Sequence, residues 1–559
     1  MKWLAALLSG IPVPVFLAFS QTPPASHQDH IPRDYRMTPM STPPHKIEGI
    51  GSSHLKITTK SPEAQAWFDQ GLNLLHCFWD FEAHRAFVEA TRLDPDAAMA
   101  WWGVAETTGA YKAMEDETKA AAAKAQALIP NVSDHEQFYI RAQRENLKKD
   151  GHDAWVAEMQ NLIDKFPGDV DAKLFLSLNM TYGYDTEGRP GKDGIYAQML
   201  IRDVLRASPD SAAAHHYMIH ALESSLHTED AVPDADALAK LAPGAGHMIH
   251  MPGHIYYRVG QYDRARDSFL ASKKFDESYM RHESVGTVDD WNYPHNLSYL
   301  IASDAESGRY QEALEMAGLL DNLPANPFIG KGIPAHVITV GGAAVRLKMR
   351  FGEYQAAIDH PIKLGFEESQ AGPAAIAFRD GMVAYAQGMQ AISKKNFEAA
   401  EHYSDALDAI SWRLSAAKPD NATRALLILE TASLDLRGNL RAAQGRLDEG
   451  IDLLKKAVEK EAAVGYNEPP QYARPELESL GYAYIRAGKY ADARDAFTRE
   501  LKLRPNSGHE LYGIAQSYES EGKRDAASKA YGEFLEAWKG ADSGLPMIQH
   551  AHMYRNPVH

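Results

Sequence analysis

Most of the chain carries the hydrophobic and polar pattern of short helices. After Ser61, segments of twelve to fifteen residues with helical character are separated by glycine, asparagine or aspartate and punctuated by proline. No long alternating pattern of the kind expected for a strand appears in the sequence. The pattern therefore predicts an all-α protein.

One set of residues repeats with a period of 34 positions. Small residues stand where the two helices of a hairpin would cross closely, and large aromatic residues stand where hairpins would stack. Proline stands where the second helix would end. The template occurs at Trp67, Gly71, Leu74, Ala83, Phe87, Ala90 and Pro95, again at Gly253, Tyr256, Gly260, Tyr262, Ala265 and Phe269, and again at Leu480, Gly481, Tyr484, Gly488, Tyr490, Ala493, Phe497 and Pro505. The repeat predicts roughly a dozen hairpins stacked in a row.

This pattern resembles the tetratricopeptide repeat. The resemblance implies a right-handed superhelical solenoid in which first-helix positions 2, 5, 9, 12 and 13 line an inner concave groove. A narrower resemblance, carried by Leu74–Gly103 and His247–Tyr262, is to large exported bacterial tetratricopeptide proteins of uncharacterised activity. It covers most of the chain after residue 60 and implies the fold but no particular activity.

Shifts in composition divide the chain into seven segments. A stretch rich in Pro, Ser, Thr and His before the repeats is typical of a flexible leader. The predicted segments are 1–20 (signal peptide), 21–60 (flexible leader), 61–272 (N-terminal repeats with the first part of a histidine cluster), 273–290 (an insertion), 291–420 (degenerate central repeats), 421–538 (C-terminal repeats) and 539–559 (a tail with His550, His552 and His559, expected to be solvated).

The first twenty residues predict export from a bacterial cell. Lys2 precedes an apolar stretch from Trp3 to Phe19, and the small residues Ala18 and Ser20 give a cleavage site before Gln21. An uncleaved membrane anchor is the alternative, although the stretch is short for a span. We expect a periplasmic or secreted protein with no stable membrane span after cleavage.

Charge and motif content limit the partners. The chain has 58 basic and 75 acidic residues, a formal net charge of −17, which argues against general nucleic-acid binding because that needs a basic face. Cys77 is the only cysteine, so an intramolecular disulfide cannot form. The sequence has no Gly-rich phosphate-binding loop, nucleophile elbow or H-E-x-x-H motif, so we expect no nucleotide cofactor.

Histidines are concentrated in the middle of the array. Seven of the 24 histidines lie between residues 215 and 254. With units beginning at Ala212, Gly246 and Pro294, His216 and His250 share position 5, His220 and His254 share position 9, and His247 and His295 share position 2. Glu223 falls at position 12 of its unit. The resemblance places all of these positions on the groove, so six histidines and one carboxylate are expected to converge.

The histidine cluster predicts a metal site. Packed helices lie about 8–10 Å apart, and an imidazole nitrogen binds zinc at about 2.0–2.1 Å, so ligands from neighbouring helices can meet. The candidate ligands are His216, His220, Glu223, His247, His250, His254 and His295. Imidazole and carboxylate without thiolate suit a divalent transition metal, with copper or zinc preferred over iron. Histidines that bind a ligand without metal, and histidines that are only structural, are the alternatives.

Other groove positions predict a binding surface. They are Phe68, His76, Trp102, Glu106, Tyr257, Arg258, Tyr482, Tyr512 and Gln516. The first functional hypothesis is that the concave groove binds an extended peptide or a partner protein. The alternative is a metal-dependent enzyme or metal-storage protein that holds copper, zinc or iron in the histidine cluster, with Glu223 or Glu106 as ligand or general base.

Overall fold

The computed structural model describes residues 35–40, 42–180, 183–184, 189–326, 332–419, 422–465, 467–469 and 474–556. Over these residues the chain is a succession of α-helical hairpins, and the only pairing of extended segments is an isolated bridge between Tyr184 and Pro190. The predicted all-α solenoid of tetratricopeptide-like hairpins is confirmed. The predicted signal peptide, residues 1–20, lies outside the described residues.

The N-terminal part of the array consists of four hairpins. Their helices are α1 (Pro62–His76), α2 (Asp80–Leu93), α3 (Ala98–Thr108), α4 (Glu115–Leu128), α5 (Asp134–Asn146), α6 (His152–Lys165), α7 (Val170–Leu178) and α8 (Lys192–Ala207). Three hairpins follow in the middle, formed by α9 (Ala212–Leu222), α10 (Val232–Leu241), α11 (Gly246–Arg258), α12 (Tyr262–Glu283), α13 (Asn292–Glu306) and α14 (Tyr310–Asp321).

The C-terminal part begins with an irregular stretch and ends with regular hairpins. A π-helical turn, Val337–Gly341, separates the first two short helices. The helices are α15 (Ile333–His336), α16 (Ala343–Arg350), α17 (Tyr354–Ile358), α18 (Glu368–Ser393, kinked at Gly372), α19 (Phe397–Ala417), α20 (Thr423–Ala443), α21 (Leu447–Ala462), α22 (Glu476–Arg486), α23 (Tyr490–Leu503), α24 (Gly508–Ser520), α25 (Arg524–Ala537) and α26 (Pro546–Arg555).

The hairpins close through the glycine and phenylalanine of the repeat. A Cβ atom on Gly253 would lie 2.4 Å from the ring of Phe269, and one on Gly481 would lie 2.6 Å from the ring of Phe497. Each phenylalanine follows its glycine by 16 positions, which brings the second helix back across the first. Between the helices, Gly260 has φ 73°, a conformation that glycine adopts without steric cost.

Residues 42–60 are packed rather than flexible. Ile50, Leu55 and Ile57 are buried in the same apolar core as the first hairpin. Asn73 accepts a hydrogen bond from the Ser53 amide and donates one to the Ser53 carbonyl, both at 2.8 Å. Tyr35 and Met37 are buried in a second cluster with Phe81 and Tyr111. The expectation of a flexible leader is therefore corrected for residues 35–40 and 42–60, because their apolar side chains gain free energy by packing on the array.

The predicted insertion and tail are also helical in large part. The segment predicted as an insertion at 273–290 begins inside α12, which continues unbroken to Glu283 and ends at Ser284 with φ 59°. In the tail, Ile548 and Ala551 of α26 are buried, and His550 Nε2 lies 2.9 Å from a carboxylate oxygen of Glu519. The tail is therefore packed on α24 and α25 rather than solvated, although His552 is exposed and His559 lies outside the described residues.

The C-terminal hairpins contact the middle of the array. Trp538 donates its indole N–H to the carbonyl of Glu306 at 2.8 Å. The Asp542 amide donates to the carbonyl of Gly308 at 3.0 Å. These contacts join segments that are far apart in the sequence, so the array returns on itself. Among the helices of the described residues, none has the length and apolar character needed to cross a membrane.

Candidate metal centre

The first helices of three consecutive hairpins bring six histidines together. Helix α11 contacts α9 on one side and α13 on the other, as expected for stacked repeats. The six histidines form two groups of three. Each group has two histidines one turn apart on one helix and a third histidine on the next helix. The first triplet is His216, His220 and His247, and the second triplet is His250, His254 and His295. The two triplets are repeat equivalents of one another.

The ring nitrogens converge within each triplet. One nitrogen from each histidine lies within 4.8 Å of the nitrogens of the other two. His216 Nε2 is 3.0 Å from His220 Nε2, and His250 Nε2 is 2.6 Å from His254 Nε2. The rings of His247 and His250 stack with centroids 5.9 Å apart. The two triplets therefore form one continuous centre.

Glu223 lies between the two triplets. It is fully buried. One of its carboxylate oxygens is 2.8 Å from His220 Nδ1, and the other is 2.8 Å from His254 Nδ1. Because a carboxylate accepts hydrogen bonds, Nδ1 of both histidines carries the proton. One side chain thus fixes the tautomer of one histidine in each triplet.

Two asparagines of α13 fix two further histidines. Asn296 Oδ1 is 2.5 Å from His250 Nδ1, and Asn292 Oδ1 is 3.4 Å from His247 Nδ1. Both amide nitrogens donate to a hydroxyl and a carboxylate of α12 at 2.7–3.0 Å. Those two acceptors are Ser272 and Asp276. They set the orientation of both amides, so the amide oxygens face the imidazoles and accept from Nδ1.

Five of the six imidazoles therefore present Nε2 as a lone pair. Four of them are the histidines bonded to Glu223 and to the two asparagines. The fifth is His216, whose Nδ1 donates to the His76 carbonyl oxygen at 2.8 Å. Burial lowers the pKa of His220 to about 4. Burial, and then the nearby His216 and His250, lower the pKa of His247 well below its usual value. At neutral pH His220 and His247 are therefore uncharged, with the proton on Nδ1.

This geometry fits a metal ion. Two nitrogens bound at about 2.0–2.1 Å with a tetrahedral angle lie about 3.3 Å apart, slightly farther than the 3.0 and 2.6 Å between the paired Nε2 atoms. His247 Nε2 is buried and has no hydrogen-bond partner within the described part of the chain, which is costly for a polar atom unless it has another partner. Neutral imidazoles suit zinc, copper(II) or iron(II), and three of them leave a coordination position open.

The centre is enclosed rather than exposed along an open groove. Five of the six histidines are buried, and His295 is half-buried. Phe78, in the turn after α1, packs its ring on His220 and His247 with centroids 5.2 and 5.5 Å apart. The expectation that these histidines line an open concave groove is therefore corrected, because the turn between the first two helices covers them.

Glu468 reaches the centre from a distant part of the sequence. Its Oε2 lies 3.8 Å from His254 Nδ1, and its side chain is only 4% exposed. With Glu223 and His254 it forms a third group of potential ligands. Sequence reasoning did not include Glu468, because the stretch between α21 and α22 carries neither repeat pattern nor metal-ligand spacing.

Three of the predicted groove residues are buried inside the N-terminal hairpins. Phe68 and Trp102 are core residues. His76 lies between two neighbours, with Nε2 2.9 Å from Asp171 Oδ1 and Nδ1 2.9 Å from the Tyr217 hydroxyl. His76 therefore links α1, α7 and α9 and faces no open groove.

Glu106 and Arg258 are held by neighbouring residues. Gln143 donates to a Glu106 carboxylate oxygen at 2.8 Å, and burial raises the pKa of Glu106 to about 7. Arg258 donates to the backbone carbonyls of Glu223 and Ser225 at 3.1 and 3.2 Å. Arg258 thus fixes the chain that carries Glu223, whereas Glu106 is in none of the ligand groups found among the described residues.

The remaining predicted residues are divided between two places. Tyr257 lines a cavity together with residues of α13 and α16. Tyr482, Tyr512 and Gln516 lie in the C-terminal hairpins, where Gln516 donates to the Tyr512 hydroxyl at 3.1 Å and Tyr482 packs on Phe497. None of these three C-terminal residues belongs to a ligand group in the described chain.

Comparison with known proteins gives a likeness of fold alone. No family model matches the chain, and no curated protein matches it. A tetratricopeptide repeat protein from Parabacteroides merdae is 14% identical, with a TM-score of 0.28 over 56% of this chain and 98% of that one. The human IFIT1 dimer with m7Gppp-AAAA is 13% identical, with a TM-score of 0.32 and coverage of 87% of this chain and 92% of that one. Yeast Tom70 is 14% identical, with a TM-score of 0.29 and coverage of 88% of this chain and 95% of that one. At these values the likeness concerns helical-repeat architecture and extends to neither ligand nor activity.

Proposed function

We propose that this protein is a metal-binding repeat protein that holds two transition-metal ions, one in each histidine triplet. The observation that carries the proposal is the direction of the imidazoles. In five of them Nδ1 is taken by a carboxylate, an amide oxygen or a backbone carbonyl, so the Nε2 lone pairs point at each other. Such pairs repel unless a proton or a metal cation lies between them, and outer hydrogen bonds of this kind are typical of metal-ligating histidines.

The donor set indicates what the ions would do. Three imidazoles leave one position of a tetrahedral ion open, and that position can bind water or polarise a substrate. Tyr257, one turn after His254, lines a cavity with about 670 Å³ of empty space, part of it open to solvent. None of the six histidines lines this cavity; we propose that a small molecule reaches the ions from it, which favours a metal-dependent enzyme over a metal store. Glu468 lies 3.8 Å from Nδ1 of His254, on the side of the ring that faces Glu223, so we assign it to the carboxylates that surround the ligands.

A second proposed function is the binding of a peptide or partner protein. Tetratricopeptide-like hairpins expose strips that suit an extended chain, but the strip at the histidines is covered by Phe78. We therefore assign peptide binding to the C-terminal hairpins, where Tyr482 and Gln516 are half-buried. The proposed location outside the cytoplasm is supported by the sequence of residues 1–20 alone.

Metal content tests the first proposal. The purified full chain, dialysed against metal-free buffer, is analysed by mass spectrometry for zinc, copper and iron. We expect close to two ions per chain in the wild type and close to one in the double variant His250→Ala/His254→Ala, because only the second triplet is lost. The single variant His295→Ala, at the half-buried edge of that triplet, provides a milder test of the same site should the double variant fail to fold.

The control is His152→Ala/His402→Ala, which removes two exposed histidines and should keep both ions. A wild-type chain that contains no metal and shows no thermal stabilisation by added zinc or copper refutes the proposal. Unchanged metal content in both the His250→Ala/His254→Ala and His295→Ala variants refutes the assignment of the second triplet.

A further inference from the structure

A cavity next to the histidine centre is lined on one side by arginines. It has about 670 Å³ of empty space, part of it open to solvent, and its walls come from α11, α13, α16 and, farther along the chain, from Pro469, Arg474, Pro475 and Arg504. The arginines are Arg346, Arg350, Arg474 and Arg504, and the one carboxylate among the lining residues is Glu306. Ile301 and Leu347 contribute an apolar wall. The cavity therefore combines a basic face with an apolar one.

Arg346 is a half-buried cation, and it has no carboxylate partner in the part of the chain that the structure describes. Its guanidinium donates to the backbone carbonyls of Ile338 and Thr339, and no ion pair to it occurs within the described residues. Burial lowers the pKa of Arg346 to about 10. A charge that is partly removed from water and is met by carbonyl dipoles carries a desolvation cost that a bound anion would offset.

The backbone is shaped around this guanidinium. Val337–Gly341 is a π-helical turn, a rare conformation that occurs often at functional sites. Its carbonyls at Ile338 and Thr339 are the ones that hold Arg346. A Cβ atom on Gly342 would lie 2.7 Å from Arg346 Nη1, so a larger residue there would displace the head group from its present position. Both features keep Arg346 at the cavity wall.

The other arginines have carboxylate partners outside the cavity wall. Arg350 and Arg474 pair with Glu478, the latter at 3.6 Å, and Arg504 pairs with Glu500. Neither of these glutamates lines the cavity. Arg350 also lies 3.5 Å from Glu306, which faces inward. The lining residues therefore include four arginines and one carboxylate, and Arg346 is the one of the four with no carboxylate partner among the described residues.

We infer that this cavity binds a small organic anion, with a carboxylate or phosphate group at the arginines and an apolar body against Ile301 and Leu347. Arg346 forms the main contact, because guanidinium pairs with such oxyanions through two parallel hydrogen bonds. This inference goes beyond metal binding and does not depend on it, since none of the four arginines belongs to the histidine triplets. Tyr257, one helical turn after His254, lines the same cavity.

Calorimetric titration with three probes tests the inference. Hexanoate and hexyl phosphate carry the two oxyanions, and hexanamide is the uncharged equivalent. The full chain is treated with chelator first, so that the result does not depend on metal. We expect at least one of the two anions to bind and hexanamide to bind at least tenfold more weakly, since one charged hydrogen-bonded contact is worth about 1.5–3 kcal/mol. Which anion binds more tightly distinguishes carboxylate from phosphate ligands.

Arg346→Gln removes the guanidinium without breaking an ion pair, so the fold should persist. This substitution should lower the affinity for the anion by about tenfold or more, and Arg346→Lys should lower that affinity less because the charge remains. The control Arg446→Gln, on an exposed arginine paired with Glu449, should leave the affinity unchanged. Absence of binding by both anions, equal binding of hexanamide, or an affinity unaltered by Arg346→Gln overturns the inference.

Discussion

At the scale of single residues, Glu223 couples the two histidine triplets. Its two carboxylate oxygens each accept from one imidazole, at His220 and at His254. An amide at the same place has one acceptor and one donor, so it can satisfy only one of those Nδ1–H groups. The other histidine would have to change tautomer, turning a proton instead of a lone pair towards the proposed ion.

Glu223→Gln should therefore impair one triplet more than the other. We expect the proposed metal content to fall from close to two ions to close to one, or the affinity at one site to fall by about 10–100-fold, as for other outer-shell substitutions. The measurement is metal content after dialysis against a graded series of chelator concentrations.

A matched control is Glu106→Gln, a half-buried carboxyl whose partner is Gln143 and which lies outside the ligand groups. It should retain both ions. If Glu223→Gln retains two ions with unaltered affinity, Glu223 does not set the tautomers.

Most residues of the histidine centre could be predicted from the sequence, because the repeat register is regular. Equivalent positions in consecutive units placed His216 with His220, and His250 with His254. The asparagines at 292 and 296 were not predicted, because asparagine is common on helices and its role here depends on the acceptors Ser272 and Asp276. Glu468 was not predicted either, since no local pattern links it to the histidines.

At the scale of elements, the contact between Gly253 and Phe269 positions the second triplet. Gly253 lies between His250 and His254 on α11, and Phe269 packs on His250 with ring centroids 4.8 Å apart. A Cβ at this glycine would lie 2.4 Å from that ring. The same contact that closes the hairpin therefore also fixes the imidazoles.

Gly253→Ala should reduce the free energy of unfolding by about 1–3 kcal/mol, because an extra methyl group in a packed core forces its neighbours to shift. The proposed metal affinity should fall with it, since the ring of Phe269 would press on His250. Chemical denaturation and metal titration measure the two effects.

The comparison variant is Gly318→Ala on α14, where a Cβ would meet nothing within 4 Å. There the helix should gain about 0.4–1 kcal/mol from the lower entropy of the unfolded chain. Equal effects of the two substitutions would contradict the close packing at Gly253.

Elements with the full repeat template were predictable, and elements without it were not. The hairpin from Leu480 to Pro505 follows the template and forms α22 and α23. The π-helical turn at Val337–Gly341 and the kink of α18 at Gly372, with φ 76°, had no such signal. Tertiary packing sets the backbone at these places, and the local sequence alone does not specify it.

At the scale of the whole molecule, the return of the C-terminal hairpins encloses the arginine-lined cavity. Arg504, at the end of α23, lines it together with residues of α11 and α13. Ser507 donates to a carboxylate oxygen of Glu306, another lining residue. Contacts of this range follow from the summed curvature of many repeats, which the pattern of one repeat does not determine. That is why the sequence predicted an open groove.

Trp538 is one of the side chains that join the C-terminal hairpins to the middle of the array. It is 2% exposed, and its ring packs on Phe534 and against His509 with centroids 5.0 and 5.1 Å apart. Trp538→Ala leaves a cavity and removes the hydrogen bond to the Glu306 carbonyl, so we expect a loss of about 3–5 kcal/mol. Small-angle scattering should show a larger maximum dimension as α24 to α26 separate from α13.

Trp412→Ala is the control, because Trp412 is 71% exposed on α19 and its loss should change neither stability nor shape. If Trp538→Ala lowers the stability but leaves the scattering curve unchanged, Trp538 stabilises its own hairpin and does not hold the two parts of the array together.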